Sequence, residues 1–171
     1  MNVTFIGHKH VKNSKRIRAI LRKMLRELIE KRDADLFIFG GEGEFDEMAY
    51  DIVSSLKVKY PHINRVFLRS GSSVLGDDYR ESFLKRCKQI LYLKGLTNIE
   101  SDSDIGRDEA LIDLSDTIVV YFDSAIDVSD KISARVYGDP EGREKLKDDR
   151  IVKIAMEYAQ KNGKTILNVL K

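Results

Sequence analysis

Short apolar runs alternate with longer amphipathic stretches along the chain, and this alternation is the strongest constraint on its fold. The strand-like runs cover residues 3–6, 36–39, 65–68, 89–93, 117–122 and 165–170. Between most of them, apolar residues recur every three or four positions, as in a helix that packs one face on a sheet. Strands separated by helices imply parallel strands joined by right-handed crossovers. We therefore predict an α/β, single-domain Rossmann-like three-layer sandwich over residues 1–171, with a mainly parallel sheet and helices on both faces.

The predicted helices follow from the same periodicity. They cover residues 14–32, 45–56, 78–88, 106–115 and 149–161. Ser14 is the expected N-cap of the first helix. Residues 124–147 interrupt the alternation, because they are polar and contain Gly138-Asp139-Pro140 and Gly142. We expect this segment to be a lid, a small hairpin or a flexible, disordered insert.

The composition limits the classes of partner. Thirty Lys and Arg residues against 28 Asp and Glu residues give a formal net charge of +2, which does not by itself indicate a nucleic-acid or membrane partner. A single cysteine, Cys87, excludes an internal disulfide and suits a reducing compartment. No apolar run approaches the roughly 20 residues of a membrane span, and residues 1–32 do not resemble a signal peptide. The expected location is therefore the cytoplasm.

A glycine-rich turn directly follows the strand-like run at residues 36–39. Glycines at such a turn adopt positive φ and let a ligand approach the main chain, and the N–H groups at the start of the next helix attract anions. The turn residues that we expect to contact a ligand are Gly40, Gly41, Glu42, Gly43, Phe45 and Asp46. For Phe45 a core position is the stronger interpretation, and Asp46 could either cap the helix or accept hydrogen bonds from ribose. The turn predicts a phosphate-bearing ligand but not a reaction.

The other strand ends supply further candidates, because ligands of parallel sheets gather at the carboxyl ends of the strands. Gly7, His8 and Lys9 follow the first strand, and Asp123 follows the strand at residues 117–122. His10 is expected to be a solvated loop residue. His8 and His10 at i and i+2, with no nearby cysteine, form a weak ligand set, so we predict no metal site and no cofactor.

Three segments in order resemble a known family. They are Val-Thr-Phe-Ile-Gly-His at residues 3–8, Phe-Gly-Gly-Glu-Gly-Glu-Phe-Asp-Glu-Met-Ala at residues 39–49, and Arg107 with Ser115-Asp116 before an apolar strand. They resemble the SLOG superfamily, which includes the Lonely guy phosphoribohydrolases and the DprA-type DNA-processing proteins. The resemblance looks closest to a bacterial branch that opens with a Gly-His-Arg-like turn.

This resemblance implies a Rossmann-like sheet that binds nucleotides or nucleotide-derived ligands, and Arg107 matches an arginine that acts on the N-glycosidic bond. The phosphoribohydrolases also have a later Pro-Gly-Gly-x-Gly-Thr-x-x-Glu motif, where this chain has Asp-Ser-Ala-Ile-Asp at residues 123–127. A related branch has Gly-Thr before its last helix, where this chain has Arg150-Ile151-Val152. Arg150 could contact a phosphate through its guanidinium in place of that motif, but a surface cap on the helix is the favoured expectation. The resemblance also makes a homodimer plausible.

Three classes of function stay open, and the first is the leading prediction. It is binding or sensing of a nucleotide or nucleoside-phosphate-derived small molecule. The second is an N-glycoside phosphoribohydrolase acting on nucleoside monophosphates, in which Arg107 positions the phosphate and Asp46, Asp116 or Asp123 serves as acid or base. The third, nucleic-acid binding through the basic first helix, is not favoured because no aromatic residues interleave with its charges. The sequence does not decide whether the protein is an enzyme.

Overall fold

The structure, a computed structural model, describes residues 1–41, 43–69, 90–92, 104–123 and 140–171, which form one parallel sheet with helices on both faces. The strands are β1 (Asn2–Gly7), β2 (Leu36–Phe39), β3 (Asn64–Arg69), β4 (Ile90–Tyr92), β5 (Thr117–Tyr121) and β6 (Thr165–Asn168). The helices are α1 (Ser14–Arg32), α2 (Gly43–Lys59), α3 (Asp104–Asp113) and α4 (Pro140–Lys161). The predicted Rossmann-like α/β fold is confirmed.

The strand order explains where a ligand site can form. The order is β4-β3-β2-β1-β5-β6, and every neighbouring pair is parallel. The chain builds the sheet outward from β1 to β4 and then returns to place β5 on the other side of β1. Gly7 at the end of β1 lies opposite Tyr121 at the end of β5. The order of strands therefore reverses between β1 and β5, and in open α/β sheets ligands bind outside such a reversal.

Each face of the sheet has its own buried core. The face under α1 and α2 holds the largest cluster, in which the rings of Phe5 and Phe39 stack with centroids 5.1 Å apart. The opposite face holds two smaller clusters beneath α3 and α4. Their members include Ile6, Ile118, Val120, Val152, Ala155 and Ala159 in one, and Ile38, Leu68, Ala110 and Leu111 in the other. These faces confirm the predicted three layers.

Two predicted helix starts are wrong. The N-cap of α1 is Asn13, which adopts a left-handed conformation with φ of 53°, and Ser14 is already helical. Helix α4 begins at Pro140 and not at residue 149. Proline suits the first position of a helix because its missing N–H would have no partner there. Residues 140–147 therefore belong to α4 and not to a lid or flexible insert.

Several predictions fall on residues outside the described part of the chain. They concern Glu42, the helix at residues 78–88 with Cys87, and residues 124–139 of the predicted insert. Within the described ranges, no helix has the combination of length and apolar character needed to cross a membrane.

Candidate functional site

A cleft opens at the carboxyl ends of β1 and β2 and is closed on its other sides by α3 and α4. It is lined by Phe5, Ile6, Gly7, Lys9, Gly40, Asp46, Arg107, Asp108, Leu111, Asp148, Ile151 and Val152. About 40 Å³ is open to the centres of water-sized molecules, which is room for a few waters or one small chemical group. A ligand larger than that must extend out of the cleft.

Arg107 is the buried cation of this cleft. It lies on the first turn of α3, is 8% exposed, and its guanidinium is 3.3 Å from the carboxylate of Asp108. A methyl group added to Gly40 would lie 3.4 Å from Nε of Arg107 and 2.9 Å from the Leu111 side chain. Glycine at position 40 is therefore the residue that lets α3 pack against the end of β2. The structure thus brings Arg107 and the glycine turn together, although they are far apart in sequence.

The glycines of the turn have a packing role that sequence analysis did not predict. Gly41 and Gly43 have φ values of 77° and 78°. A side-chain carbon on Gly41 would overlap the ring of Phe67, and one on Gly43 would lie 2.7 Å from Cα of Lys9. The positive φ was expected, but the close approach it permits is between two parts of the chain.

Two amide groups of the turn region already have partners within the protein. The Gly41 N–H donates to the Asp46 carboxylate at 2.5 Å, and the Glu44 N–H donates to the Lys9 carbonyl at 2.8 Å. Asp46 is 5% exposed. Its carboxylate accepts the hydrogen bond of the Gly41 amide, which an incoming anion would otherwise accept. Asp46 therefore accepts a main-chain N–H just before α2, which is similar to the first of its two predicted roles, that of a helix cap.

The charges that line the cleft nearly balance. Lys9 and Arg107 supply two cations, while Asp46, Asp108 and Asp148 supply three carboxylates. Carboxylates repel phosphate but accept hydrogen bonds from hydroxyl and amino groups. The cleft is thus suited to a ligand that carries one anionic group together with several hydrogen-bond donors.

His8 lies beside the cleft and is held by α4. Its Nδ1 is 3.2 Å from Oδ2 of Asp148, and the same oxygen accepts the Lys9 N–H at 3.0 Å. The imidazole stacks on Phe122 with centroids 5.4 Å apart. No residue in the described part of the chain hydrogen-bonds its buried Nε2. Asp148 therefore ties the loop after β1 to α4 and orients the histidine.

Glu44 and Tyr121 fix the same loop from the other side. The Val11 N–H donates to Glu44 at 2.8 Å, and this hydrogen bond, with His10 nearby, holds the pKa of the Glu44 carboxyl below its usual value. The Tyr121 hydroxyl accepts the Lys12 N–H at 3.0 Å, and burial raises the pKa of this phenol. The loop between β1 and α1 is thus anchored to α2 and to β5.

The remaining predicted site residues lie in different places. Phe45 is 1% exposed and packs in the core, which confirms the stronger interpretation of this residue. Asp123 follows β5 and pairs with Lys12 at 3.7 Å, outside the lining of the cleft. Asp116 directly precedes β5 and so lies at the amino ends of the strands, where it accepts the Asn2 N–H at 2.7 Å. The structure therefore does not bring this acid/base candidate to the cleft. Arg150 is exposed, as expected.

The histidines do not form a metal site within the described ranges. The side chain of His10 is 86% exposed and lies 3.4 Å from Glu44, so its expected loop position is confirmed. In the described part of the chain, no group of three or more His, Cys, Asp or Glu residues could hold a metal ion.

Sequence analysis missed two carboxylates of the cleft, Asp108 and Asp148. Asp148 fell between the predicted insert, which ended at residue 147, and the predicted helix, which began at residue 149, because the start of α4 was placed too late. A signal was present, since Asp148 precedes Ile151 and Val152 by three and four positions, the spacing of one helix face. Asp108 directly follows Arg107 and was not singled out as a candidate, although it is 7% exposed.

Comparison with known proteins adds no assignment. No protein-family model matches the sequence, and a search of curated proteins found no match.

Proposed function

We propose that this protein binds or senses a nucleotide or nucleoside-phosphate-derived small molecule in the cleft at the carboxyl ends of β1 and β2. The observation that carries the proposal is the buried guanidinium of Arg107 beside Gly40. A guanidinium can hold a phosphate through two parallel hydrogen bonds. The attraction between the two charged groups is stronger where water is excluded. Lys9, a second positively charged residue, also lines this cleft.

The charge balance disfavours a ligand with several phosphates. With three carboxylates against two cations, a triphosphate would bring several negative charges that the cleft does not neutralise. A nucleoside monophosphate would instead offer one phosphate to Arg107 and ribose hydroxyl groups to Asp46 or Asp108. A relationship to the SLOG superfamily is part of this proposal, and it rests on the sequence resemblance at residues 3–8 and 39–49 and at Arg107 with Ser115-Asp116.

Calorimetric titration tests the binding proposal. AMP, GMP, CMP, UMP, ATP and inorganic phosphate are each titrated into the folded protein without magnesium. We expect at least one monophosphate to bind more tightly than ATP. Arg107→Met, which keeps much of the side-chain volume but removes the charge, should weaken that binding at least tenfold. Lys15→Met, which removes an exposed charge elsewhere, should leave it unchanged. Flat titrations with all six compounds, or full affinity in R107M, would contradict the proposal.

A second candidate function is hydrolysis of the N-glycosidic bond of a nucleoside monophosphate. It is favoured by one observation, the presence of Asp46 and Asp108 in the same cleft as Arg107. A carboxylic acid can protonate a departing base, and a carboxylate can stabilise the positive charge that develops on the sugar. Chromatographic measurement of free base after incubation with each monophosphate tests this function. Release that disappears in Asp108→Asn would support it, and binding without release would leave sensing as the function.

A further inference from the structure

A second groove lies on the other face of the sheet, between α1 and β6. Its apolar floor is formed by Ile20, Met24 and Leu28, which follow one another at four-residue intervals on α1, and by Leu167 of β6. About 390 Å³ is open to the centres of water-sized molecules, far more than in the cleft. The stripe from Ile20 to Leu28 is about 12 Å long, or roughly two turns of a helix.

The groove exists because the helices of this face stop short of the sheet edge. Helices α1 and α2 cover one face, while β6 is the last strand on its side of the described sheet. Leu167 packs against the edge of the core but is only partly buried. Nothing among the described residues covers the position beside α1, where a further helix would complete the layer.

The rim of the groove is basic. Lys23, Glu27 and Lys31 form a second stripe parallel to the apolar one, and Arg32 follows at the end of α1. Within the described ranges, the ion pairs of α1 involve Arg18, Arg26 and Glu30, and no acidic side chain pairs with Lys23, Lys31 or Arg32. Three cations against one carboxylate therefore border an apolar floor.

We propose that this groove docks a short amphipathic helix of a partner protein, whose apolar side chains enter the groove and whose acidic side chains meet the basic rim. Helix-in-groove recognition uses apolar anchors at intervals of three and four residues, which match the α1 stripe. A second copy of the same surface is disfavoured because the two basic rims would repel each other. Nucleic acid is disfavoured because the floor is aliphatic and offers no ring on which a base could stack.

Two synthetic peptides test the proposal. Each has 14 residues, which is about four turns of a helix. Both carry Leu at intervals of three and four, but one has Glu and the other has Lys at the remaining positions. Binding to the full chain is measured by fluorescence anisotropy. We expect the Glu peptide to bind at least tenfold more tightly than the Lys peptide, and its affinity to fall as salt concentration rises.

Two pairs of variants locate the binding surface. Met24→Glu places a charge on the apolar floor and should weaken the Glu peptide at least tenfold, whereas Val58→Glu changes an apolar residue on α2 that is 88% exposed and should have no effect. Lys31→Glu should weaken binding severalfold, whereas Lys15→Glu, with the same charge change outside the groove, should alter it less than twofold. K31E changes an exposed residue, so it remains informative if M24E fails to fold.

Three outcomes would overturn the proposal. The first is equal binding of the two peptides or full affinity in K31E. The second is binding of a single-stranded oligonucleotide that displaces the Glu peptide and is weakened in K31E. This result would make the groove a nucleic-acid site. The third is a dimer in sedimentation experiments that M24E dissociates, which would make it an interface between copies of this chain.

Discussion

The carboxylate of Asp46 accepts a hydrogen bond from the backbone N–H of Gly41 at 2.5 Å, across the start of α2. The bond satisfies an amide at the end of β2 and places a negative charge where the helix dipole is positive. The same turn that suggested a phosphate-binding loop is therefore partly closed by its own side chain. A ligand must displace Asp46 from this amide or bind to the neighbouring Arg107 and Lys9.

Removal of this cap should destabilise the protein. Asp46→Ala loses a partly buried hydrogen bond from the Gly41 N–H, just before α2, so we expect the free energy of unfolding to fall by about 1–2 kcal/mol, as for helix caps. Asp51→Ala, on the same helix, removes an exposed ion pair with Arg18 and should cost less than about 1 kcal/mol. Urea unfolding of both variants measures the difference. Equal losses would show that the Gly41 contact contributes nothing beyond an ordinary surface charge.

Two glycines with positive φ, Gly43 and Gly163, permit a comparison of backbone strain with and without steric overlap. Gly43→Ala places a residue at φ of 78° and also pushes a methyl group to within 2.7 Å of Cα of Lys9. Gly163→Ala has a similar φ of 67° with no atom within 4 Å of the added carbon. We expect G163A to cost about 1 kcal/mol from strain and G43A about 3 kcal/mol or more from strain and overpacking. Thermal unfolding gives the two values, and similar costs would mean that the loop after β1 moves freely away from the turn.

Sequence patterns predicted the sheet well because each strand is defined by local apolar runs. β2 was predicted with its observed bounds, β1, β3, β4 and β5 differ by one residue at one or both ends, and β6 ends two residues earlier than predicted. The start of α4 was missed because Pro140 and Gly142 resemble a turn locally, although proline is compatible with the first turn of a helix.

The candidate site was less predictable because it depends on contacts between distant segments. Sequence indicates that Gly41 and Gly43 can adopt positive φ, but not that Phe67 and Lys9 occupy the space they leave. The position of Arg107 beside Gly40 was implied by resemblance to a family. Asp148 reaches the cleft through the packing of α4 on β1, which no local pattern specifies.

Glu44 should make stability depend on pH in the acidic range. Its pKa lies below the ordinary value of 4.5 because it accepts the Val11 N–H and lies near His10. The unfolded chain therefore binds the proton more tightly, so the stabilisation is present above about pH 4.5 and is lost as the pH falls through the folded value. Glu44→Gln should be less stable than the parent at pH 7 and should approach it below this range. Urea unfolding from pH 3 to 7 tests this, and Glu157→Gln, which removes an exposed carboxylate from α4, should run parallel to the parent.

The link between Asp148 and the loop after β1 should protect a specific amide from hydrogen exchange. One carboxylate oxygen accepts both the Lys9 N–H and the His8 ring nitrogen, so Asp148→Ala removes two contacts between α4 and the candidate site. Hydrogen bonds to a charged group contribute about 1.5–3 kcal/mol, which corresponds to roughly tenfold or greater faster exchange of the Lys9 amide. Asp148→Asn keeps an acceptor oxygen and should give an intermediate rate, while Glu157→Ala should leave the rate unchanged. Unaltered Lys9 exchange in D148A would mean that Asp148 does not hold the loop after β1 against α4.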